Sequence, residues 1–138
     1  MPVTTVTHVT THRLRFNDTD RLGHVNNAVF AVMLEQGRSE LAVEAGLPIE
    51  SDTASLVIVR LELDFLREMA WPGDVTVETE VARLGNRSFT LQQRLVSSDE
   101  VSARAVTVLV VMDRAARRAM TLDGAWRESL TRWLVPED

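Results

Sequence analysis

A single long helical pattern, with no second long helix in the strand-rich region after it, constrains the fold of this chain most. Residues 27–45 carry the pattern, and the segment 28–34 is apolar all round, which predicts a deeply buried helix. Gly46 stands where a C-terminal cap belongs, and Pro48 bars continuation of the helix. One stripe continues at helical spacing through Phe30, Leu34, Gly37, Leu41 and Ala45.

Five strand patterns accompany this helix. They cover residues 8–16 before it, and 55–66, 75–81, 89–95 and 101–113 after it. In the second pattern, charged residues alternate with Val57, Val59, Leu61, Leu63 and Phe65, which predicts one dry face and one wet face. The stretch after Arg104 is apolar on both faces, which predicts an internal strand. A short C-terminal amphipathic helix is indicated by Trp126, Leu130, Trp133 and Leu134. The order predicts an α+β fold with a five-stranded antiparallel sheet and one long helix.

Composition narrows the class of protein. A chain of 138 residues with 45% hydrophobic and 25% charged content predicts one globular domain over residues 1–138. The net charge of −5 argues against nucleic-acid and anionic-membrane partners. The absence of cysteine excludes disulfides, thiolate metal sites and cysteine nucleophiles. We expect a cytoplasmic protein, because Met1–Thr4 has no secretory pattern and no apolar run could span a bilayer.

The loop before the helix is the candidate site. Residues 17–27 combine two carboxylates, a glycine, a histidine and two asparagines next to a helix N-terminus, which offers unpaired N–H groups. Asp20 lies seven residues before Asn27, too far to be its immediate cap, and is a candidate general base or nucleophile. Gly23 lets the backbone approach a ligand closely. Asp18 is interpreted as a turn residue.

The remaining polar residues of the loop have less specific interpretations. Either Asn26 or Asn27 is expected to be the N-cap, and free N–H groups of the first turn could polarise a carbonyl oxygen. His24 could orient Asp20, contact substrate or fix the loop. A metal site is not favoured, because no further ligand cluster accompanies Asp18, Asp20 and His24, and no cofactor is expected.

Charged residues outside the loop allow bland interpretations. Glu35 and Arg38, one helical turn apart, predict an intrahelical ion pair, with a catalytic role of Glu35 as the alternative that is less favoured than Asp20. His8 and His12 are expected to be incidental to the site. Beside the hairpin glycine, Arg87 and Ser88 are either exposed turn residues or contacts for a phosphorylated ligand.

The ordered set of loop residues resembles a known family. The order Phe16-x-Asp18-x-Asp20-x-x-Gly23-His24-Val25-Asn26-Asn27-x-x-Phe30 resembles the hotdog-fold acyl-CoA thioesterases of the 4-hydroxybenzoyl-CoA thioesterase type. Its segment 24–27 is also similar to that of plant-type acyl-ACP thioesterases. Segments 72–74 and 87–89 match later landmarks, so that the resemblance covers residues 8–113.

The resemblance implies a long helix wrapped by a curved antiparallel sheet, in a homodimer or homotetramer with active sites at the dimer interface. It implies that Asp20 is the catalytic aspartate and that the Asn27 amide polarises the thioester carbonyl. It also implies that Arg87 is the basic residue that contacts phosphate. We further expect His24 to belong to the catalytic set, and the other substrate contacts to be Gly23, Asn26, Phe30 and Ser88. The chain departs from the family where Phe30 replaces a tyrosine, and where Gly85 and Asn86 replace basic residues used for nucleotide phosphate.

These features predict hydrolysis of an acyl thioester, carried by CoA or by a carrier protein, to free acid and thiol. The first alternative is a hotdog dehydratase or hydratase, which a change in enoyl absorbance without thiol release would reveal. The second alternative is a non-catalytic acyl-thioester binding subunit, which would tolerate loss of Asp20.

Overall fold

One long helix lies against a single antiparallel sheet in the computed structural model, which describes residues 6–136. Met1–Thr4, at which no secretory signal is expected, lies outside these residues. The elements in chain order are β1 (His8–Arg13), α1 (Asn27–Glu44), β2 (Ala54–Phe65), β3 (Asp74–Leu84), β4 (Ser88–Ser97), β5 (Glu100–Asp113), β6 (Arg118–Ala119) and α2 (Gly124–Thr131). The sheet has the order β1-β3-β4-β5-β2, and β6 pairs with β5. The hotdog architecture predicted from the sequence is confirmed, with a short sixth strand added.

Helix α1 packs on β1, β3 and β4. Its predicted apolar stripe is buried along its whole length. The expected C-terminal cap is confirmed, since Gly46 has φ +75° and the Leu47 N–H donates to the Ala42 carbonyl at 2.9 Å. The prediction that the first half of α1 is buried all round is wrong, because Val32 is 60% exposed.

The predicted first strand, residues 8–16, extends too far. Strand β1 ends at Arg13, and a 3-10 turn over Phe16–Asp18 follows. The cause is Asp18, whose carboxylate accepts the Arg15 N–H at 2.7 Å and the Arg15 guanidinium at 3.0 Å. A side chain that hydrogen-bonds its own local backbone competes with strand pairing.

Strand β2 forms one edge of the sheet, as β1 forms the other. A bulge between Ile58 and Arg60 shifts its alternation, so Leu56 packs against the buried core before the bulge and Leu63 after it. The predicted single dry face therefore changes phase part-way along the strand. Strand β5 lies between β4 and β2, which confirms the predicted internal strand.

The C-terminal segment closes one end of the core. Helix α2 is shorter than predicted, because Trp133 and Leu134 follow its end. Trp133 is buried, and its carbonyl accepts the Val81 N–H at 2.9 Å. His8, expected to be incidental to the site, has a structural role: its ring meets Trp133 edge-on and its Nε2 lies 2.7 Å from a Glu44 carboxylate oxygen.

A polar cluster lies buried between α1 and the sheet. The Gln93 side-chain amide donates to the Leu34 carbonyl and to the Thr79 hydroxyl, both at 3.0 Å. Gln93 also accepts from the Arg38 guanidinium at 3.3 Å, and burial lowers the pKa of Arg38 while the charge of Glu35 opposes that shift. The predicted ion pair between Glu35 and Arg38 does not form in the part of the chain that the structure describes. The Arg38 side chain is instead buried in this cluster, where it donates to Gln93.

Candidate active site

Asp20 organises the tight turn that precedes α1. Its Oδ1 accepts the Leu22 N–H at 2.8 Å and the His24 N–H at 3.3 Å. Its own N–H donates to the His24 carbonyl at 2.8 Å, and its carbonyl accepts the Gly23 N–H at 3.1 Å. Gly23 has φ +85°, a conformation that side chains other than glycine rarely adopt. The side chain of Asp20 stays exposed, so this turn presents a carboxylate to solvent.

The helix starts directly after this turn. Asn26 is the N-cap, with its side-chain oxygen accepting the Ala28 N–H at 2.9 Å, and Asn27 is the first helical residue. This confirms the prediction that one of the two asparagines caps the helix. The N–H groups of Ala28 and Val29 donate to the side chain and the carbonyl of Asn26, both at 2.9 Å. The structure gives no acceptor among residues 6–136 for the Asn27 N–H, which lies at the positive end of an 18-residue helix.

Asp18 has a structural position, as the sequence predicts. It is buried, and its backbone carbonyl accepts the Asn26 N–H at 2.8 Å. Burial raises the pKa of this carboxyl, but the hydrogen bonds and positive charge of Arg15 together outweigh burial and hold its pKa below the ordinary value. Asp18 therefore fixes the start of the loop in its ionised form.

A second loop, residues 66–73, is hydrogen-bonded to the segment that precedes α1. The Val25 N–H donates to the Met69 carbonyl at 2.8 Å, and the Leu14 N–H donates to the Gly73 carbonyl at 2.9 Å. On this loop Glu68 approaches His24, with its Oε2 3.0 Å from the ring Nε2. The local sequence pattern gives no signal for this contact, because it depends on how two distant loops pack.

A cleft of about 340 Å³ opens between the two loops and the start of α1. It brings together four of the predicted site residues, Asp20, His24, Asn27 and Phe30. The other lining residues are Leu22, Val25, Phe65, Leu66, Arg67 and Glu68. Phe30 is buried at the base of the cleft and packs edge-on against Phe65 at 5.2 Å between ring centroids. No local sequence pattern indicates that residues 65–68 belong to the site.

Arg87 and Ser88 lie away from this cleft within one chain. Arg87 lies in the turn between β3 and β4, and Ser88 begins β4, whereas the cleft loops join the opposite, Asp74 end of β3. The 11 residues of β3 span roughly 30 Å. One copy of the chain therefore does not bring these two residues together with Asp20.

The site contains no cluster suited to a metal ion. Among residues 6–136, no group of three or more histidine, aspartate or glutamate side chains converges on one point. The described helices also include none that is long and apolar enough to cross a membrane. The polar groups that line the cleft are the carboxylates of Asp20 and Glu68, the His24 imidazole, the Arg67 guanidinium and the N-terminus of α1.

Comparison with known proteins identifies the family. The model of the thioesterase-like superfamily matches residues 14–134. The chain belongs to this superfamily. It is 28% identical over 112 residues to the long-chain acyl-CoA thioesterase FadM of Escherichia coli, an alignment that covers 78% of this chain and 84% of that protein.

Solved structures agree with this assignment. A predicted thioesterase from Bacillus stearothermophilus matches with a TM-score of 0.87 and 28% identity, covering 96% of this chain and 100% of that one. The 1,4-dihydroxy-2-naphthoyl-CoA thioesterase from Synechocystis matches with a TM-score of 0.81 and 19% identity, covering 91% of this chain and 96% of that one, and supports the fold alone. The thioesterase resemblance predicted from the sequence is confirmed, and the enzyme class is thioester hydrolase.

Proposed function

We propose that this protein hydrolyses an acyl thioester of CoA, or of a carrier protein, to free acid and thiol. The observation that carries the proposal is one cleft lined by the Asp20 carboxylate and by the first helical residue, Asn27. Apolar Phe30 and Phe65 in the same cleft suit an acyl chain. The similarity to FadM supports a CoA thioester and makes long-chain acyl-CoA the first substrate to test.

In this mechanism the thioester carbonyl binds at the N-terminus of α1. The Asn27 N–H donates to the carbonyl oxygen, and the helix dipole favours the negative charge that develops there. One such donor contributes about 3 kcal/mol to transition-state stabilisation. Gly23 and Asn26 support this arrangement. Gly23 permits the turn that carries Asp20, and Asn26 caps the helix whose N-terminus binds the carbonyl.

Asp20 acts as general base or as nucleophile. Because Oδ1 already accepts two backbone N–H groups, Oδ2 is the oxygen available for chemistry. As a base it removes a proton from water; as a nucleophile it forms an anhydride that water then opens. A single turnover in ¹⁸O-labelled water distinguishes the routes, since only the nucleophilic route can place the label in Asp20.

The test of the proposal is Asp20→Asn. Asparagine keeps an Oδ1 that can accept the same backbone N–H groups, so the turn and the melting temperature should be preserved. We expect kcat/KM to fall by about 10²- to 10⁴-fold in a thiol-release assay. Near-normal hydrolysis of every acyl-CoA and acyl-carrier substrate would contradict the proposal. An enoyl absorbance change without thiol release would instead identify a dehydratase, and binding without turnover a non-catalytic subunit.

We also propose that the protein works as a homodimer joined through the edges of β2. This edge strand exposes four apolar side chains, Ile58 (40%), Val59 (57%), Leu61 (41%) and Phe65 (50%), which favours pairing with a second copy. Strand β2 ends at Phe65 in the cleft, so the joined edge would adjoin the active site. A second copy is also the means by which Arg87 and Ser88 could approach a bound nucleotide.

Val59→Lys tests the dimer, because a charge on the edge opposes strand pairing. We expect the solution mass to fall to that of one chain and thiol release to fall with it. A wild-type protein that is monomeric and fully active would contradict the dimer. The mass of the wild type also decides between dimer and tetramer.

A further inference from the structure

Glu68 is a cleft residue to which neither the motif nor the proposed mechanism assigns a task. It lies in the loop 66–73, outside the polar segment that precedes α1. Its Oε2 lies 3.0 Å from Nε2 of His24, and both residues line the cleft that contains Asp20. Glu68 is largely exposed, so packing does not explain its position. The contact with the His24 ring is the one that does.

The backbone of His24 is held independently of the contact between its ring and Glu68. Its N–H donates to Asp20 Oδ1, and its carbonyl accepts the Asp20 N–H at 2.8 Å. The next residue, Val25, donates to the Met69 carbonyl at 2.8 Å. These bonds fix the main chain on both sides of the imidazole, so ring rotation is the remaining freedom of His24. The contact with Glu68 removes that freedom.

The contact also determines which ring nitrogen is available. A carboxylate that accepts the Nε2–H leaves Nδ1 as the nitrogen with a free lone pair, as in other sites where a carboxylate selects a histidine tautomer. We propose that Glu68 is a positioning residue, which holds His24 so that Nδ1 accepts one hydrogen of the attacking water while Asp20 removes the other. This inference rests on the proposed thioester hydrolysis.

The resulting step balances without a co-reactant. Asp20 takes a proton from water, and the water oxygen bonds to the thioester carbon while the carbonyl oxygen becomes an oxyanion. Collapse of the intermediate breaks the C–S bond and releases the free acid and a thiolate. The thiolate takes the proton back from Asp20 and leaves as thiol. His24 keeps its proton on Nε2 throughout and only orients the water.

A double-mutant cycle of Glu68→Ala and His24→Ala tests this inference. We expect Glu68→Ala to lower kcat about tenfold, as for other residues that orient a functional histidine, with KM changed less than about twofold. In the His24→Ala background, Glu68→Ala should have no further effect, because it acts through the imidazole. Glu100→Ala is the matched control, since it removes an exposed carboxylate that pairs with Arg67 at 3.0 Å on the same loop.

The tautomer of His24 provides a readout that does not depend on activity. With the ring neutral, ¹⁵N spectra of wild type should show the Nε2–H form, and Glu68→Ala should give a mixture, with the signal identified by its loss in His24→Ala. Effects on kcat that simply add in the double mutant, or a tautomer unchanged by Glu68→Ala, would overturn the inference. Absence of thiol release by the wild type would overturn the proposed hydrolysis, and full activity of Asp20→Asn would overturn the role of Asp20 in it, so these failures are distinguishable from failure of the inference about Glu68.

Discussion

The protein buries large apolar side chains around one end of α1 and leaves some exposed around the other. At the hairpin end, formed by the β3–β4 turn, α2 and residues 132–135, Leu130 and Trp133 are buried. Arg127 satisfies carbonyls there, donating to Gly85 at 2.9 Å. At the site end, formed by residues 14–27 and 66–73, Phe16 is 69% exposed and Leu22 is 80% exposed. The hairpin end is closed by packing, and the site end is open.

This difference separates stability from binding. Leu130 and Trp133 at the hairpin end contribute to folding through burial, whereas Phe16 and Leu22 at the site end keep surface available for a substrate or a second copy. Backbone hydrogen bonds through Leu14, Val25 and Asn26 join the loops of the site end, where Leu14 and Val25 are also buried in the core. Variants at the two ends should therefore affect different measurements.

The largest expected effect on stability is at Trp133. Trp133→Ala should lower the free energy of unfolding by about 3–5 kcal/mol, because it empties a fully enclosed site beside His8. Trp71→Ala, at the site end, should cost about half as much or less, since 45% of Trp71 is exposed. Urea unfolding measures both. An equal loss in the free energy of unfolding for the two variants would contradict the proposed difference between the two ends.

Asp18 should have a smaller effect on stability and a distinct pH dependence. Asp18→Asn removes the charge that binds Arg15 and should cost about 1–3 kcal/mol, with catalysis by the folded protein retained. Because the pKa of Asp18 is lower when folded than its ordinary 3.8, the unfolded chain binds more protons in acid. The wild type should therefore lose this stability as pH falls below about 4, down through the folded pKa.

Thermal or urea unfolding between pH 2 and pH 7 measures this difference. In Asp18→Asn the stability should fall less steeply as the pH is lowered, because one carboxylate no longer contributes to the pH dependence. A parallel pair of curves would contradict the role assigned to Asp18. Asp20→Asn, two positions along, serves as the matched variant that should lose activity with little loss of stability.

The smallest expected effect is at Arg87, and it tests whether the hairpin end takes part in binding. Arg87→Ala should raise KM for acyl-CoA about threefold to tenfold through loss of a charge-assisted phosphate contact supplied across a dimer. The KM for the same acyl group on a short thiol without phosphate should be unchanged. Equal effects on both substrates would exclude a phosphate contact, and no effect would assign Arg87 to the turn alone.

Local patterns were sufficient for the scaffold and for part of the site. The bounds of α1, its capping by one of two asparagines and the existence of the long strands follow from neighbouring residues, and the structure agrees with them. The end of β1 was mispredicted because the Arg15–Asp18 contact outweighs strand propensity. The bulge at Ile58 was also missed, since it leaves no periodic signal.

The rest of the site depends on contacts between distant segments. Phe65 and Glu68 reach the cleft because the loop after β2 folds over the loop before α1. Nothing in residues 65–68 alone indicates that packing. Arg38 was misassigned for the same reason, because its partner Gln93 lies 55 positions further along the chain.

The buried cluster around Gln93 has a consequence for alignment. Its amide joins the Leu34 carbonyl on α1 to the Thr79 hydroxyl on β3, and Gly37 allows this approach, since a methyl group there would lie 2.6 Å from Val77 Cγ1. Rotating the helix about its axis, or sliding it along the sheet, would leave these enclosed polar groups without partners. The contacts of Gln93 near the middle of the helix thus fix its orientation on the sheet, and with it the direction in which the Asn27 N–H points.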